Sequence, residues 1–256
     1  MEQTLPLSNT SIVVTRPSLQ NHAICSELTT LGACPIKFPC MEISSYSNFN
    51  ELDLNTRLPS CQLVIFISTN AVQFGLKAIP NLMQQVAESC QIAAVGTSTA
   101  QALNSLGIKQ VLTPVDSFDS EALLKLPALQ DVEKKSVLLI KGKGGRALLS
   151  QTLENRGANV QSIDVYQRTL PKSVNLDALN TKIDLILFTS SESVNNFLAL
   201  TPKSLQSTLL CCQTIVGHAR IADKVTALGF EKLPIIAATP SDTDMLAAIN
   251  QWSLSK

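Results

Sequence analysis

Three features of the sequence predict an α/β protein of two similar lobes, each built on a parallel sheet flanked by helices. The chain of 256 residues is 45% hydrophobic and only 16% charged, apolar enough for a substantial core and too weakly charged for a disordered tail. Its two halves resemble each other without gaps over long stretches, at a nearly constant spacing. Each repeated stretch opens on a continuous apolar run, breaks into Ser, Thr, Asn or Gly, and then takes up helical spacing. That order suits parallel strands buried on both faces and joined by crossover helices.

The first repeat sets residues 11–43 (SIVVTRPSLQNHAICSELTTLGACPIKFPCMEI) against 136–168 (SVLLIKGKGGRALLSQTLENRGANVQSIDVYQR). Gly32 and Ala33 fall on Gly157 and Ala158, and Leu28 falls on Leu153. Both copies read as strand, polar turn, amphipathic helix, glycine stop and second strand. The second repeat sets 63–72 (LVIFISTNAV) against 185–194 (LILFTSSESV), an apolar strand whose hydroxyl residues stand where a helix is capped. The third sets 92–107 against 214–229, with Gly96-Thr97-Ser98-Thr99 matched to Gly217-His218-Ala219-Arg220. A single sheet could take all six units, but duplicated halves make two lobes more naturally, and a simple cut near residues 131–136 gives two consecutive ones.

Twenty basic and twenty acidic residues cancel, so overall charge predicts neither nucleic acid nor an anionic membrane surface as partner. An anionic ligand has to be met by local groups. The seven cysteines are odd in number, show no C-x-x-C spacing and have only His22 and His218 to join them, which predicts buried reduced thiols and no metal site. Residues 1–10 lack a basic region followed by an apolar run, and no stretch reaches the ~18 apolar residues of a membrane helix. A soluble cytoplasmic protein is expected.

Ligands of doubly wound sheets bind beyond the carboxyl ends of the strands, and the polar turns lie there. Lys141, Gly142, Lys143, Gly144, Gly145 and Arg146 follow one strand and open a helix, so backbone N–H groups and three cations converge on an anion-sized place. Gly142, Gly144 and Ala147 also satisfy a loose G-x-G-x-x-A, and Asp164 near the end of the next strand stands where a dinucleotide fold carries an acid. A solvated glycine turn is the competing reading. Its counterpart, Thr15-Arg16-Pro17-Ser18, keeps a cation and lacks glycine, which suits a carboxylate better than a pyrophosphate. Ser68, Thr69 and Asn70 in one half, and Ser190, Ser191 and Glu192 in the other, place hydroxyls beside free helix N–H groups, serving a ligand or the helix cap alone. His218 has no nucleophile or carboxylate assigned to it, so an exposed turn histidine competes with a base. No G-x-S-x-G elbow, phosphate-binding lysine loop or paired carboxylate motif occurs, which disfavours hydrolysis and phosphoryl transfer. Two rival classes stand beside an enzyme for a polyanion: a two-lobed small-anion binding protein, and a nucleotide-dependent enzyme using turn 141–146.

Taken together, the segments Val14-Thr15-Arg16-Pro17, Phe66-Ile67-Ser68-Thr69-Asn70-Ala71-Val72, Val95-Gly96-Thr97-Ser98-Thr99-Ala100, Gly142-Lys143-Gly144-Gly145-Arg146 with Leu149, and Val165-Tyr166-Gln167-Arg168 resemble the uroporphyrinogen-III synthase family in order and spacing, nearly end to end. The resemblance implies two flavodoxin-like lobes joined by a two-stranded β linker. It also implies hydroxymethylbilane, a linear tetrapyrrole bearing eight carboxylates, as substrate, closed to uroporphyrinogen III with loss of water and inversion of the last ring through a spiro intermediate. No cofactor is implied. Tyr166 becomes the candidate to assist departure of the hydroxyl, with interlobe packing as its competing role. Ser68, Thr69, Thr99, Ser190, Ser191 and Gly217 become substrate contacts, to which Arg16, Lys141 and Arg146 are added on electrostatic grounds. The family often has Thr where this chain has Arg220. A monomer is expected, with a transient contact to the preceding enzyme of the pathway. The resemblance further implies that the chain crosses between lobes twice. Lobe 1 is then residues 1–37 plus 168–256, lobe 2 is 42–164, and 38–41 with 165–167 link them as a short ladder carrying Tyr166.

Overall fold

The computed structural model describes residues 5–50, 54–55, 58–86, 88–115, 119–145 and 147–255. Its strands are β1 (Ser11–Val14), β2 (Cys34–Lys37), β3 (Glu42–Ser45), β4 (Leu63–Phe66), β5 (Gln91–Ala94), β6 (Ser136–Gly142), β7 (Asn159–Thr169), β8 (Leu185–Phe188), β9 (Gln213–Val216) and β10 (Ile235–Ile236). The longer helices are α1 (His22–Thr30), α2 (Thr69–Ala78), α3 (Thr97–Ser105), α4 (Leu148–Asn155), α5 (Ser191–Leu200), α6 (Lys203–Leu210), α7 (Ala219–Ala227) and α8 (Asp242–Leu254). The chain divides into two compact units, Met1–Ile43 with Thr169–Lys256, and Ser44–Arg168.

In the first unit the sheet runs β2-β1-β8-β9-β10 with every pair parallel. Numbered along this unit's chain that order is 2-1-3-4-5, the doubly wound flavodoxin-like arrangement. Alternation along the strands divides the core into two layers. Ile12, Val14, Leu185, Leu187 and Ile215 face α1 and α8 through Ile24, Leu28, Met245 and Ile249. Val13, Ile186, Phe188 and Val216 face the other way, onto Val194 and Phe197 of α5, Leu209 of α6 and Val225 of α7. Phe38 and Cys40 belong to this second layer, where the Phe38 ring meets Phe197 edge-on at 5.4 Å between centroids.

The second unit repeats the arrangement in a different chain order. Its sheet runs β3-β7-β6-β4-β5, with β7/β6, β6/β4 and β4/β5 parallel. The repeats equate β6, β7, β4 and β5 with β1, β2, β8 and β9, so the spatial order is again 2-1-3-4. A single parallel bridge between Ala93 and Leu112 stands where the first unit has β10. Here β3 adds a strand beside β7. Leu63, Ile65, Val137 and Leu139 pack on Leu149 and Leu153 of α4. The repeated helices stop in the same way in both units, with Gly32, Gly107, Gly157 and Gly229 all at φ between 83° and 89° one residue beyond the cap.

Candidate active site

At the carboxyl ends of β4, β6 and β7 the second unit gathers several of the candidate site residues around one phenol. The strand β4 ends at Phe66, and two residues later Ser68 leaves the extended conformation to cap α2, its Oγ accepting from the Ala71 N–H at 3.1 Å. The same Oγ lies 3.1 Å from the Tyr166 hydroxyl, and either group can donate. Tyr166 is only 3% exposed. Its ring is 5.9 Å from that of Phe74 and lies flat against Gly142, where a Cβ would come within 2.5 Å of Cζ. Gly142 is therefore a seat for an aromatic ring, and only a residue without a side chain fits. Within the second unit the Tyr166 ring packs on its own sheet end.

Of the cations of turn 141–146, Lys141 and Lys143 lie among the described residues, and each has a partner of its own. Lys141 pairs with Asp164, its register neighbour on β7, at 2.7 Å, and its ammonium also donates to the carbonyls of Gly144 at 3.2 Å and Gly142 at 3.4 Å. Its three N–H donors are thereby used. Asp164, read from sequence as a possible ribose ligand, is instead the counter-ion of Lys141. Lys143 sits 4.5 Å from the centroid of the Tyr46 ring, a cation–π contact. Arg146 lies outside the described residues.

Two clefts open beside this cluster. One, of about 260 Å³, lies between the N-termini of α2 and α3 and is lined by Ser68, Thr69, Gly96, Thr97, Ser98 and Thr99 above the apolar floor of Ile67 and Val95. Thr69, Thr97 and Ser98 are exposed at its mouth, while Thr99 is buried in its inner wall. First-turn residues of two helices bring their backbone N–H groups and hydroxyls to this cleft, and no carboxylate stands among its described lining residues, a setting suited to an anion. The other cleft, of about 240 Å³, runs over Lys141, Gly144 and Gly145 between Leu139 and Leu149, with Asp119 and Glu121 opposite.

The first unit carries the counterparts without the phenol. Ser190 caps α5, accepting from the Ser193 N–H at 3.0 Å, and Ser191 follows in the first turn with its buried Oγ unpartnered among the described residues. Arg16, equivalent to Lys141, is likewise committed, to Asp242 at 2.8 Å and to the Pro240 carbonyl at 2.6 Å. The repeat places Pro17 where the second unit has Gly142, and Met41 where it has Tyr166. The third pair needs a correction of one residue. Gly96 corresponds to His218, since each is the cap residue of its helix. His218 is exposed and its Nδ1 accepts from the Arg220 N–H at 3.1 Å, so the histidine is a cap. Gly217 answers to Val95 and has a packing reason, because a Cβ there would meet Pro240 at 2.6 Å. Cys34 and Cys211 are exposed, contrary to the expectation of buried thiols, whereas burial pushes the Cys212 thiol up to about 11.

A known family accounts for this arrangement. Residues 23–247 match the family described as uroporphyrinogen-III synthase HemD. The chain belongs to the uroporphyrinogen-III synthase family. It is 31% identical over 245 residues to the uroporphyrinogen-III synthase of Escherichia coli (strain K12), covering 92% of this chain and 98% of that one. Its fold resembles the uroporphyrinogen-III synthetase of Helicobacter pylori 26695, with a TM-score of 0.61 at 21% identity over 96% of this chain and 99% of that one. A mutant uroporphyrinogen III synthase from the extremely thermophilic bacterium Thermus thermophilus gives the same TM-score at 17% identity and the same coverage. The protein is thus an enzyme of tetrapyrrole biosynthesis, and the readings as a small-anion binding protein or a nucleotide-dependent enzyme are not favoured. No helix among the described residues is long and apolar enough to cross a membrane.

Sequence reasoning missed Asn48, Phe74 and the true role of Asp164. Phe74 sits on α2 five residues beyond the start of that helix, an ordinary apolar position. Asp164 was visible as an acid, but its partner follows only from strand register. Asn48, on an irregular segment after β3, carries no sequence signal.

Proposed function

We propose that the chain closes hydroxymethylbilane to uroporphyrinogen III by assisting loss of the terminal hydroxyl and orienting the last ring for inversion. The observation that carries this is the Tyr166 phenol, held 3.1 Å from Ser68 Oγ at the strand ends beside the hydroxyl-lined cleft. Donating its proton toward the departing oxygen, the phenol would relieve charge developing there while Ser68 keeps it oriented. An azafulvene cation results. Attack on it through the substituted carbon of the last ring gives the spiro intermediate, which fragments and recloses inverted.

Carboxylates of the substrate fit the N-termini of α2 and α3 through Thr69 and Thr99, and those of α5 and α7 through Ser190, Ser191 and the turn after Gly217. Arg16 and Lys141 act as scaffold for their turns, since each already serves an aspartate; Arg146 is kept as a substrate contact. Unaided closure gives the uninverted isomer, so the enzyme's task is orientation, and a difference of about 2.7 kcal/mol between the two closures is a hundredfold preference. The reaction so written calls for no cofactor. Action as a cytoplasmic monomer, with a transient contact to the preceding pathway enzyme, belongs to the same proposal, and the balanced charge of the chain calls for neither nucleic acid nor an anionic membrane surface as partner. The test is to supply freshly generated hydroxymethylbilane and separate the product isomers. Type III product in excess is expected, and type I product alone, at the spontaneous rate, would overturn the proposal.

A further inference from the structure

Each residue of the stretch Asp164-Val165-Tyr166 is gripped from outside its own strand. Asn48 holds Asp164 twice: its side-chain amide donates to Oδ2 at 3.0 Å, and its carbonyl oxygen accepts from the Asp164 backbone N–H at 2.8 Å. The Tyr46 N–H donates to the Val165 carbonyl at 3.1 Å, and the Lys143 N–H to the Tyr166 carbonyl at 2.8 Å. Lys143 in turn lies over the Tyr46 ring, which ties the segment after β3 to the glycine turn.

Asp164 is the junction of this clamp. Its Oδ2 is held by Asn48, and its Oδ1, buried, meets the Lys141 ammonium and no other partner among the described residues. Lys141 uses its remaining donors on the carbonyls of Gly142 and Gly144, which draws the turn back over the end of β6. Gly142 is the surface on which the Tyr166 ring rests. A chain of contacts therefore runs from Asn48 through Asp164 and Lys141 to the seat of the phenol, and the same Asp164 stands two residues before Tyr166 on the strand.

We propose that Asp164 and Asn48 are positioning residues for Tyr166, fixing the place of its hydroxyl through Lys141 and the glycine turn. This rests on the cyclisation reading given above. A buried ion pair of this kind is weak as a stabiliser against an apolar replacement but well suited to holding one geometry. A displacement of the phenol by a fraction of an ångström would weaken its hydrogen bond to a leaving oxygen while leaving carboxylate binding nearly untouched.

The test is a cycle between Asp164→Asn and Tyr166→Phe, with Asn48→Ala as a milder second entry to the same clamp. In the otherwise intact protein Asp164→Asn should lower kcat by about tenfold while moving KM by less than about twofold. In the Tyr166→Phe protein the same change should cost almost nothing further, because the group it positions is gone. Losses that multiply in full would overturn the proposal, as would a rise in KM with kcat unchanged. A readout independent of turnover comes from replacing Tyr46 and Tyr166 with 3-fluorotyrosine. The Tyr166 ¹⁹F resonance, assigned by its loss in Tyr166→Phe, should shift in both Asp164→Asn and Asn48→Ala, and an unmoved resonance in folded variants would contradict the clamp. If that resonance shifts while the parent protein makes only type I product, the cyclisation reading fails and the positioning relation stands.

Discussion

The two units share a strand order and a set of capped helices, yet only one of them carries a phenol at its strand ends. In the second unit Gly142 leaves room for Tyr166, whose hydroxyl meets the cap of α2. In the first, the equivalent positions are Pro17 and Met41, and the matching cap, Ser190, accepts from its own helix and meets no phenol among the described residues. Both units neutralise the cation at the carboxyl end of the central strand, Lys141 with Asp164 and Arg16 with Asp242. The aspartates come from different elements, β7 in one case and the start of α8 in the other. A duplicated scaffold has thus kept its strand order and its capped helix ends while seating a buried phenol in a single copy.

The comparison is most strongly tested at the paired cations. Lys141→Met should leave Asp164 Oδ1 buried and uncompensated, costing about 3 kcal/mol in denaturant unfolding. Arg16→Met should cost about 1 kcal/mol, because the Asp242 side chain is 32% exposed and can be hydrated. Equal losses would mean that the two pairs do the same work. A smaller effect is expected at the ring seat. Gly142→Ala should cost about 2–3 kcal/mol by driving a methyl group into the Tyr166 ring, against about 0.5 kcal/mol for Pro17→Ala. Smaller again is the difference between the caps. Ser190→Ala should cost about 1 kcal/mol, and Ser68→Ala about 1.5–2 kcal/mol because a buried phenol also loses its partner. Identical values for the two serines would remove the Ser68–Tyr166 bond from the account.

Much of this architecture was legible because duplication makes a sequence its own reference. Strand positions, glycine stops and serine caps recur at fixed spacing, and each recurrence is dictated by a backbone need that sequence expresses locally. Matching Gly96 to Gly217 departed by one residue from the spacing of the third repeat, which sets Gly96 on His218, since the two glycines answer different demands: a cap in one case, close approach of Pro240 in the other. Turn 141–146 looked like an anion cradle because its charges are adjacent in sequence. The pairing of Lys141 depends on Asp164 lying opposite it in the β6/β7 register and on the lysine reaching back to its own turn, neither of which is a local property. Asn48 was invisible for the same reason: its partner, Asp164, is far away in sequence on β7.

The measurement closest to the central claim is the rate of type III product formation by Tyr166→Phe beside its thermal unfolding. Removal of one hydroxyl from a ring that stays packed between Gly142 and Phe74 should change stability by less than about 1 kcal/mol and slow turnover by about tenfold or more. A variant that unfolds earlier but cyclises at the parent rate would contradict the account and leave Tyr166 as a packing residue.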